Sequence, residues 1–240
     1  MDVPDSPDAC ANKLLARLPA AEYRNLRPHL EWIPCPLKST FYQRDQPIDH
    51  VYFPLNGEHS VLAIMQNGTA VEVGTVGNEG LSPVDILTGS EQSLETVTCQ
   101  IAGEALKMRI GPFLEAINGN TELRRLAFRY LQAYLSQVSQ SVACNRLHTI
   151  EERFAKWLLM NHDRVAGDEI HITQEFLADM LGVHRPSVSL IARHFQQLGL
   201  IKYSRGLVII LDRPAIEEAS CECYGVVRKQ FERALGIKVA

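Results

Sequence analysis

The 240-residue sequence has no run of about 18 apolar residues, which is the length that a helix needs to cross a bilayer. Its first ten residues, MDVPDSPDAC, are acidic and lack the basic and apolar regions of a secretory signal. With 46% hydrophobic and 22% charged residues, the composition is that of an ordinary globular protein. We therefore expect a cytoplasmic protein that has no membrane partner.

The sequence is also poor in motifs of catalysis and metal binding. It has no Ser-His-Asp pattern, P-loop or GxGxxG, so we expect that the protein is not an enzyme. Its six cysteines include no CxxC pair, and His50 and His59 are better explained as structural histidines than as haem ligands. No cofactor and no metal are predicted, although an unknown small-molecule effector is compatible with the sequence.

Cys221 and Cys223 lie in a C-terminal segment, residues 213–235, that we expect to form one added amphipathic helix. Side chains two residues apart diverge on a helix, so these two thiols are not expected to hold a metal together. Inert cysteines are the favoured interpretation, and a redox or metal role is the alternative.

Charge is distributed very unevenly along the chain. Between Arg44 and Lys107 there is no Lys or Arg, whereas nine Asp and Glu residues lie there. Residues 183–211 show the opposite pattern, since they contain four cations and no Asp or Glu. A net charge of −4 excludes a wholly basic protein that coats nucleic acid, but this local basic segment suits a polyanion, of which double-stranded DNA is one.

The N-terminal part of the chain predicts a small β-barrel. Residues 12–30 have the apolar spacing of one or two short helices. From about residue 31 to residue 109, short β-branched and aromatic stretches are cut by turn signals, among them Asn56-Gly57 and Asn67-Gly68. This pattern is typical of antiparallel strands in a sandwich or barrel.

A long helix is predicted from Thr121 to Ala143, because neither Pro nor Gly interrupts an apolar stripe there. At a rise of 1.5 Å per residue the helix is about 35 Å long, and its apolar face is larger than one barrel can easily cover. A dimer seam is therefore favoured, and packing on the helix's own domain is the alternative. The residues expected at the middle of the seam are Leu131, Tyr134, Leu135 and Val138.

Residues 172–198, ITQEFLADMLGVHRPSVSLIARHFQQL, have the spacing of a helix-turn-helix. Thr173 is the predicted N-cap of the first helix, and Gly182 supplies the tight turn. The inward positions of the second helix are Val188, Ile191, Ala192 and Phe195. The next segment, LIKYSRGLVIIL, predicts a two-stranded hairpin that turns at Ser204-Arg205-Gly206 and forms the wing of a winged helix.

The outward face of the second helix is the predicted DNA-reading surface. Arg185 and Arg193 are expected to contact base edges, because a guanidinium pairs bidentately with guanine in the major groove. Lys202 and Arg205 on the wing are expected to contact phosphates. With weaker contacts included, the predicted DNA-binding residues are Thr173, His184, Arg185, Ser187, Ser189, Arg193, Lys202 and Arg205.

The order of these parts resembles the Crp/Fnr family of bacterial transcription regulators, over about residues 12–212. The best matches are the helix-turn-helix with its wing and the stretch VGNEGL in the barrel. The resemblance implies an α+β fold with an N-terminal cyclic-nucleotide-binding-like β-barrel (jelly roll), a long dimerisation helix and a C-terminal winged helix-turn-helix. It also implies a homodimer on a two-fold operator with half-sites about one helical turn apart, and it allows RNA polymerase as a partner.

The chain is accordingly divided into four predicted parts. The apolar pattern of the long helix breaks at Cys144-Asn145, and an amphipathic helix with Thr149 as its cap follows at residues 149–163. The predicted parts are a sensor barrel with N-terminal helices at 1–119, a dimerisation helix at 120–144, a winged helix-turn-helix at 145–212 and a helical extension at 213–240.

Two departures from the family pattern concern the effector and the operator. In cyclic-AMP-binding members, a Gly-Glu-Leu turn is followed about ten residues later by an Arg-Ser or Arg-Thr pair that grips the phosphate. Here the turn is Asn78-Glu79-Gly80 and the pair falls at Ser93-Leu94, with no cation nearby in the sequence. We therefore expect that neither cyclic AMP nor cyclic GMP is the effector. The backbone amides of the turn, or an arginine at 124, 125 or 129 of a partner subunit, are the alternatives for holding an anion.

Family members often carry Glu and Arg where this chain has Pro186 and Leu190, so its operator preference is expected to differ. The alternative function is a small-molecule sensor module that acts through protein partners and has a degenerate helix-turn-helix. The intact glycine turn and the acid-free basic segment favour the DNA-binding regulator.

Overall fold

A computed structural model describes residues 2–236, and in these residues a β-sheet domain, a long helix and a winged helix follow one another as predicted. The N-terminal helical region contains one α-helix, α1 (Ala20–Leu26), with 3-10 turns on either side. Helices and antiparallel sheets occupy separate parts of the chain, so the predicted α+β class is confirmed.

Five antiparallel strands form the sheet of the N-terminal domain. They are β1 (Leu30–Cys35), β2 (Thr40–Tyr42), β3 (His50–Ile64), β4 (Ala70–Val76) and β5 (Thr96–Arg109). Their order is β1-β5-β3-β4, and β2 pairs with β5 beside this path. The long strands β3 and β5 pair from His50↔Arg109 to Leu62↔Thr96 and form the centre of the sheet.

One predicted turn of the barrel is wrong, because Asn56-Gly57 lies within β3 and does not end a strand. The register against β5 shifts at this point, which is the mark of a β-bulge. Gly57 has φ +74°, and a Cβ there would lie 2.5 Å from the carbonyl oxygen of Ile101. A bulge uses the same left-handed glycine as a turn, so the dipeptide alone does not distinguish the two. The Asn67-Gly68 turn, by contrast, does join β3 to β4.

Three helices connect the sheet to the winged helix, namely α2 (Ile110–Ile117), α3 (Glu122–Leu147) and α4 (Ile150–His162). Thr149 caps α4 in a capping box with Glu152, as predicted. The expected break at Cys144-Asn145 is wrong, because α3 continues for another turn to Leu147. Neither Cys nor Asn forbids helical backbone, so the capping signal at Thr149 marks the true end better than these two residues do.

The C-terminal part consists of β6 (Glu169–His171), α5 (Gln174–Leu181), α6 (Arg185–Gln197), β7 (Ile201–Ser204), β8 (Leu207–Ile210), α7 (Arg213–Ala219) and α8 (Cys223–Leu235). The wing has three strands in the order β6-β8-β7, one more than predicted. The single helix predicted for residues 213–235 is wrong, because Ser220 has extended backbone and its hydroxyl donates to the carbonyl of Glu217. This local bond competes with the helix and ends α7.

The protein has two main apolar cores, one in the β-sheet domain and one in the winged helix. Helix α8 leaves the winged helix and packs its buried Val227, Phe231 and Leu235 into the first core. There the ring of Phe231 lies 6.0 Å from that of Tyr130 on α3. The winged helix is therefore connected to α3 twice, through α4 at its N-terminal end and through α8 at its C-terminal end. None of the helices within residues 2–236 is long and apolar enough to span a bilayer.

Candidate nucleic-acid interface

The turn between α5 and α6 is held by local interactions that the sequence predicts. The hydroxyl of Thr173 accepts a hydrogen bond from the Phe176 amide at 3.3 Å, which confirms this N-cap. Gly182 ends α5 with φ +62°, a left-handed conformation that favours glycine. The amide of Val183 then donates to the carbonyl of Ala178 at 2.9 Å, so the direction of α6 is fixed relative to α5.

One face of α6 is buried in the winged-helix core. Its buried residues are the four that were predicted, Val188, Ile191, Ala192 and Phe195. The ring of Phe195 packs edge-on against Phe154 of α4, with 5.1 Å between the ring centroids. Because this face is anchored, the opposite face of α6 is presented to solvent.

The solvent face of α6 carries both predicted base-reading arginines. Arg185 and Arg193 are exposed and lie two helical turns apart. Between them Leu190 is 65% exposed, so the solvent face of α6 also offers an apolar contact. His184, the N-cap residue of α6, is exposed as well.

The two serines are less accessible than the arginines. Ser187 and Ser189 are half-buried, and the hydroxyl of Ser189 donates to Oε1 of Gln174 at 2.7 Å. This contact brings Gln174, at the start of α5, beside the reading face of α6. Sequence reasoning missed Gln174, since its first-turn position in α5 does not reveal which part of α6 it faces.

The wing carries the remaining predicted residues. Arg205 and Gly206 have φ +50° and +81°, so they form a two-residue hairpin turn with both central residues in left-handed backbone. Lys202 and Arg205 are exposed. The hydroxyl of Tyr203 donates to the carbonyl of Ile172 at 3.0 Å, which fastens the wing to the segment before α5.

A buried ionic cluster lies beside the β-sheet domain and is centred on Arg164, which follows α4. Its Nη2 donates to Glu79 at 2.6 Å, and its Nη1 contacts Glu58 and donates to Thr75 at 2.6 Å. Burial opposes ionisation of Glu79, but Arg164 outweighs it and lowers the pKa of this carboxyl. No Lys or Arg lies near the Asn78-Glu79-Gly80 turn in the sequence, but the fold brings the cation Arg164 to it. The cation comes from 85 residues further along the chain.

A groove of about 360 Å³ lies between the sheet and α3, lined mainly by apolar side chains and by Asp85 and Glu95. Ser93 and Leu94 stand where cyclic-AMP-binding relatives are expected to carry their phosphate-binding pair. Here the carboxylate of Asp85 accepts from the Leu94 amide at 3.0 Å and from the Ser93 hydroxyl at 3.4 Å. The shorter bond of the Ser93 hydroxyl runs to the carbonyl of Glu95 at 2.8 Å, so the donors of both residues are already used within the chain. A second anion at this position would be repelled.

The outer face of α3 carries a regular row of exposed apolar residues. Phe128, Leu135 and Val142 are 41%, 56% and 68% exposed and follow one another at intervals of seven residues. Half-buried Leu131 and Val138 each lie three residues after a member of this row. This is the a/d pattern of a two-stranded coiled coil.

Tyr134 is the predicted seam residue that the structure places elsewhere. It is buried, and a Cβ on Gly74 would lie 2.8 Å from its hydroxyl, so it packs directly on the backbone of β4. The apolar stripe of α3 has an inner side that packs on the sheet and an outer side that is exposed, and Tyr134 lies on the inner side. Phe128 and Val142 share the heptad interval of this exposed row, although neither was among the predicted seam residues.

Comparisons with known proteins agree with this architecture. Residues 152–219 match the family model of the Crp-like helix-turn-helix domain. A transcriptional regulator of the CRP family from Thermus thermophilus has a TM-score of 0.64 and 20% identity, over 88% of this chain and 98% of that one. FixK2 from Bradyrhizobium japonicum has a TM-score of 0.66 and 14% identity, over 80% of this chain and 98% of that one.

The c-di-GMP-responsive global regulator CLP from Xanthomonas campestris has a TM-score of 0.58 and 15% identity, over 81% of this chain and 100% of that one. A sequence comparison with curated proteins gives no match. At these identities the likeness to solved structures establishes the fold, and the match of residues 152–219 identifies the helix-turn-helix.

Proposed function

We propose that this chain, a transcription regulator of the Crp/Fnr family, acts as a homodimer that binds a two-fold symmetric operator through α6 and the wing. The observation that carries the proposal is the arrangement of α6, where a buried apolar face fixes a solvent face that bears Arg185 and Arg193. The Crp-like match at residues 152–219 supports it.

Arg185 and Arg193 are assigned to base edges in the major groove. Eight residues of helix separate them by about 12 Å, so the two guanidinium groups are assigned to different bases. Leu190 lies between them and suits a thymine methyl group. Gln174 adds an amide that matches adenine, and Lys202 and Arg205 on the wing are assigned to phosphates.

Dimerisation is assigned to the heptad face of α3. A solvent-exposed row of Phe128, Leu135 and Val142 is costly in a monomer, and a second copy of α3 covers it with the same residues. A seam along α3 relates the two winged helices by a two-fold axis. Two recognition helices related in this way suit half-sites about one turn of DNA apart.

The groove between the sheet and α3 is assigned to an effector that is not an anion. Its lining combines apolar side chains with the carboxylates of Asp85 and Glu95, which favours an uncharged or cationic molecule. The Xanthomonas regulator CLP responds to c-di-GMP, which carries phosphates, so the two proteins would differ in effector class.

Mapping of the binding sites of the protein across a bacterial genome, followed by gel shifts on the enriched fragments, tests the proposal. We expect fragments that share an inverted repeat and are bound by one dimer. Absence of DNA affinity on every fragment would contradict it and would favour a sensor that acts through protein partners.

A further inference from the structure

Three cysteines and one histidine converge where the end of α3 meets the linker between α7 and α8. Cys144 and His148 come from the α3 side, and Cys221 and Cys223 come from the linker and the first residue of α8. One ligand atom of each side chain lies within 4.8 Å of those of the other three. The three thiols are buried, and the imidazole is 15% exposed. None of this belongs to the DNA-reading surface.

Local backbone structure explains why the four side chains meet. Cys144 lies in the last turn of α3, and His148 is the C-cap residue, whose amide donates to the carbonyl of Cys144 at 3.1 Å. Cys221 precedes α8 and Cys223 opens it, so the two do not lie on one helix. The expectation that their thiols diverge is therefore wrong, because it assumed helical backbone at Cys221. The bend at residues 220–222 turns both thiols toward α3.

The distances within the group fit ligands around a single ion. Sγ of Cys144 lies 3.6 Å from Sγ of Cys221, and Sγ of Cys223 lies 3.5 Å from Nδ1 of His148. A tetrahedral site with zinc–sulfur bonds of about 2.3 Å has ligand-to-ligand edges of about 3.8 Å. A disulfide would need its sulfurs at about 2.05 Å. An iron–sulfur cluster binds its cysteines through separate iron atoms and needs them further apart.

The surroundings orient the donors as they do around bound metals. Nε2 of His148 lies 3.1 Å from the carboxylate of Glu222, which fixes the tautomer that turns the lone pair of Nδ1 toward the thiols. The amide of Gln140 donates to Sγ of Cys223 at 3.0 Å.

We propose that Cys144, His148, Cys221 and Cys223 bind one Zn²⁺ ion in a closed tetrahedral Cys3His site. Soft thiolates with one imidazole in a tetrahedron are the donor set that zinc prefers. Four protein ligands leave no open position for a substrate, so the role is structural. The ion joins the end of α3 to the start of α8 and holds the C-terminal extension against the dimerisation helix.

The metal content of the full-length protein tests this site. We expect one zinc per chain by inductively coupled plasma mass spectrometry after removal of loosely bound metal. Cobalt in place of zinc is expected to give the intense visible bands of tetrahedral Co²⁺ together with thiolate-to-cobalt charge transfer. Cys221→Ser and Cys223→Ser are expected to lose most of the bound metal. Cys99→Ser, which removes a buried thiol of the sheet, is the matched control and is expected to keep it.

Several outcomes would overturn the site. They are a wild-type protein without zinc, a cobalt spectrum of octahedral form, an iron–sulfur chromophore, or equal zinc in Cys223→Ser and Cys99→Ser. A Cys144–Cys221 disulfide found by mass spectrometry in freshly purified protein would overturn it as well. The cobalt spectrum of the wild-type chain reports thiolate ligation directly, so the proposal stays testable even if a serine variant does not fold.

Discussion

Nη2 of Arg164 donates to Oε1 of Glu79 across 2.6 Å, and both side chains are buried. Glu79 lies in the turn that follows β4, and Arg164 follows α4, the first helix of the region that matches the Crp-like domain. The amide of Gly77 also donates to Glu79, at 3.1 Å. The pair therefore joins the turn after β4 to the segment that enters the winged helix.

Replacement of Arg164 by Met should destabilise the protein by about 3–5 kcal/mol, because it leaves Glu58 and Glu79 buried without their cation. Urea unfolding measures the loss. Adding Glu58→Gln and Glu79→Gln to this variant should restore a large part of the lost stability, since neutral amides need no counter-charge. Arg44→Met, which removes only an exposed cation 3.8 Å from Asp45, is the control and should cost less than about 0.5 kcal/mol. An Arg164→Met protein as stable as this control would contradict the role of the cluster.

Glu72 should make the protein less stable as the pH rises toward 8. Burial, and then the charge of Glu58, raise the pKa of Glu72 from 4.5 to about 8. Between these values the unfolded chain has lost a proton that the folded chain keeps, so the free energy of unfolding falls with increasing pH. Glu72→Gln should be more stable than the wild type near pH 8 and should differ less near pH 5. Exposed Glu91→Gln is the control, and equal pH dependence in both variants would refute the assignment.

Leu135→Glu should convert the dimer to monomers, because it places a charge at the centre of the heptad row on α3. Burial of a leucine stabilises by roughly 1.5–3 kcal/mol per side chain, and the dimer loses this twice. Sedimentation velocity at micromolar concentration measures the change. Leu211→Glu is a matched control, since Leu211 is 59% exposed and lies outside α3. A Leu135→Glu protein that still sediments as a dimer would remove α3 from the interface.

Neither cyclic AMP nor cyclic GMP should bind in calorimetric titrations. The carboxylate of Asp85 already accepts from the Leu94 amide, and Arg164 is occupied by two carboxylates. Two of the three arginines considered as substitutes are engaged as well, since Arg125 pairs with Glu122 and Arg124 donates to the carbonyl of Ile117. Saturable binding with a micromolar dissociation constant would disprove this prediction.

Features that depend on neighbouring residues could be predicted from the sequence. The inward face of α6 follows from helical periodicity, and the caps at Thr149 and Thr173 follow from side chains that bond within three residues. For the same reason the Gly182 turn was predictable. These features carry the assignment of the helix-turn-helix.

Features that depend on distant contacts could not be predicted. Arg164 reaches Glu79 across 85 residues, and Cys144 reaches Cys221 across 77, and no local pattern encodes either pairing. The inner position of Tyr134 on α3 depends on the close approach of Gly74 in β4. Each of these three cases is a contact between segments that only the folded chain brings together.

Whether α6 reads a base sequence is decided by the affinities of the wild type and of single variants for an operator and for a scrambled duplex. Fluorescence anisotropy over a range of salt concentrations is the measurement. Arg185→Ala should weaken the binding free energy for the operator by about 1–3 kcal/mol and change that for scrambled DNA little, because it removes a base contact. Lys202→Ala and Arg205→Ala should each weaken binding to both duplexes equally. Each should also lower the slope of log binding constant against log salt concentration by about one. A wild type that binds both duplexes equally, or an Arg185→Ala protein that weakens on both alike, would contradict the account.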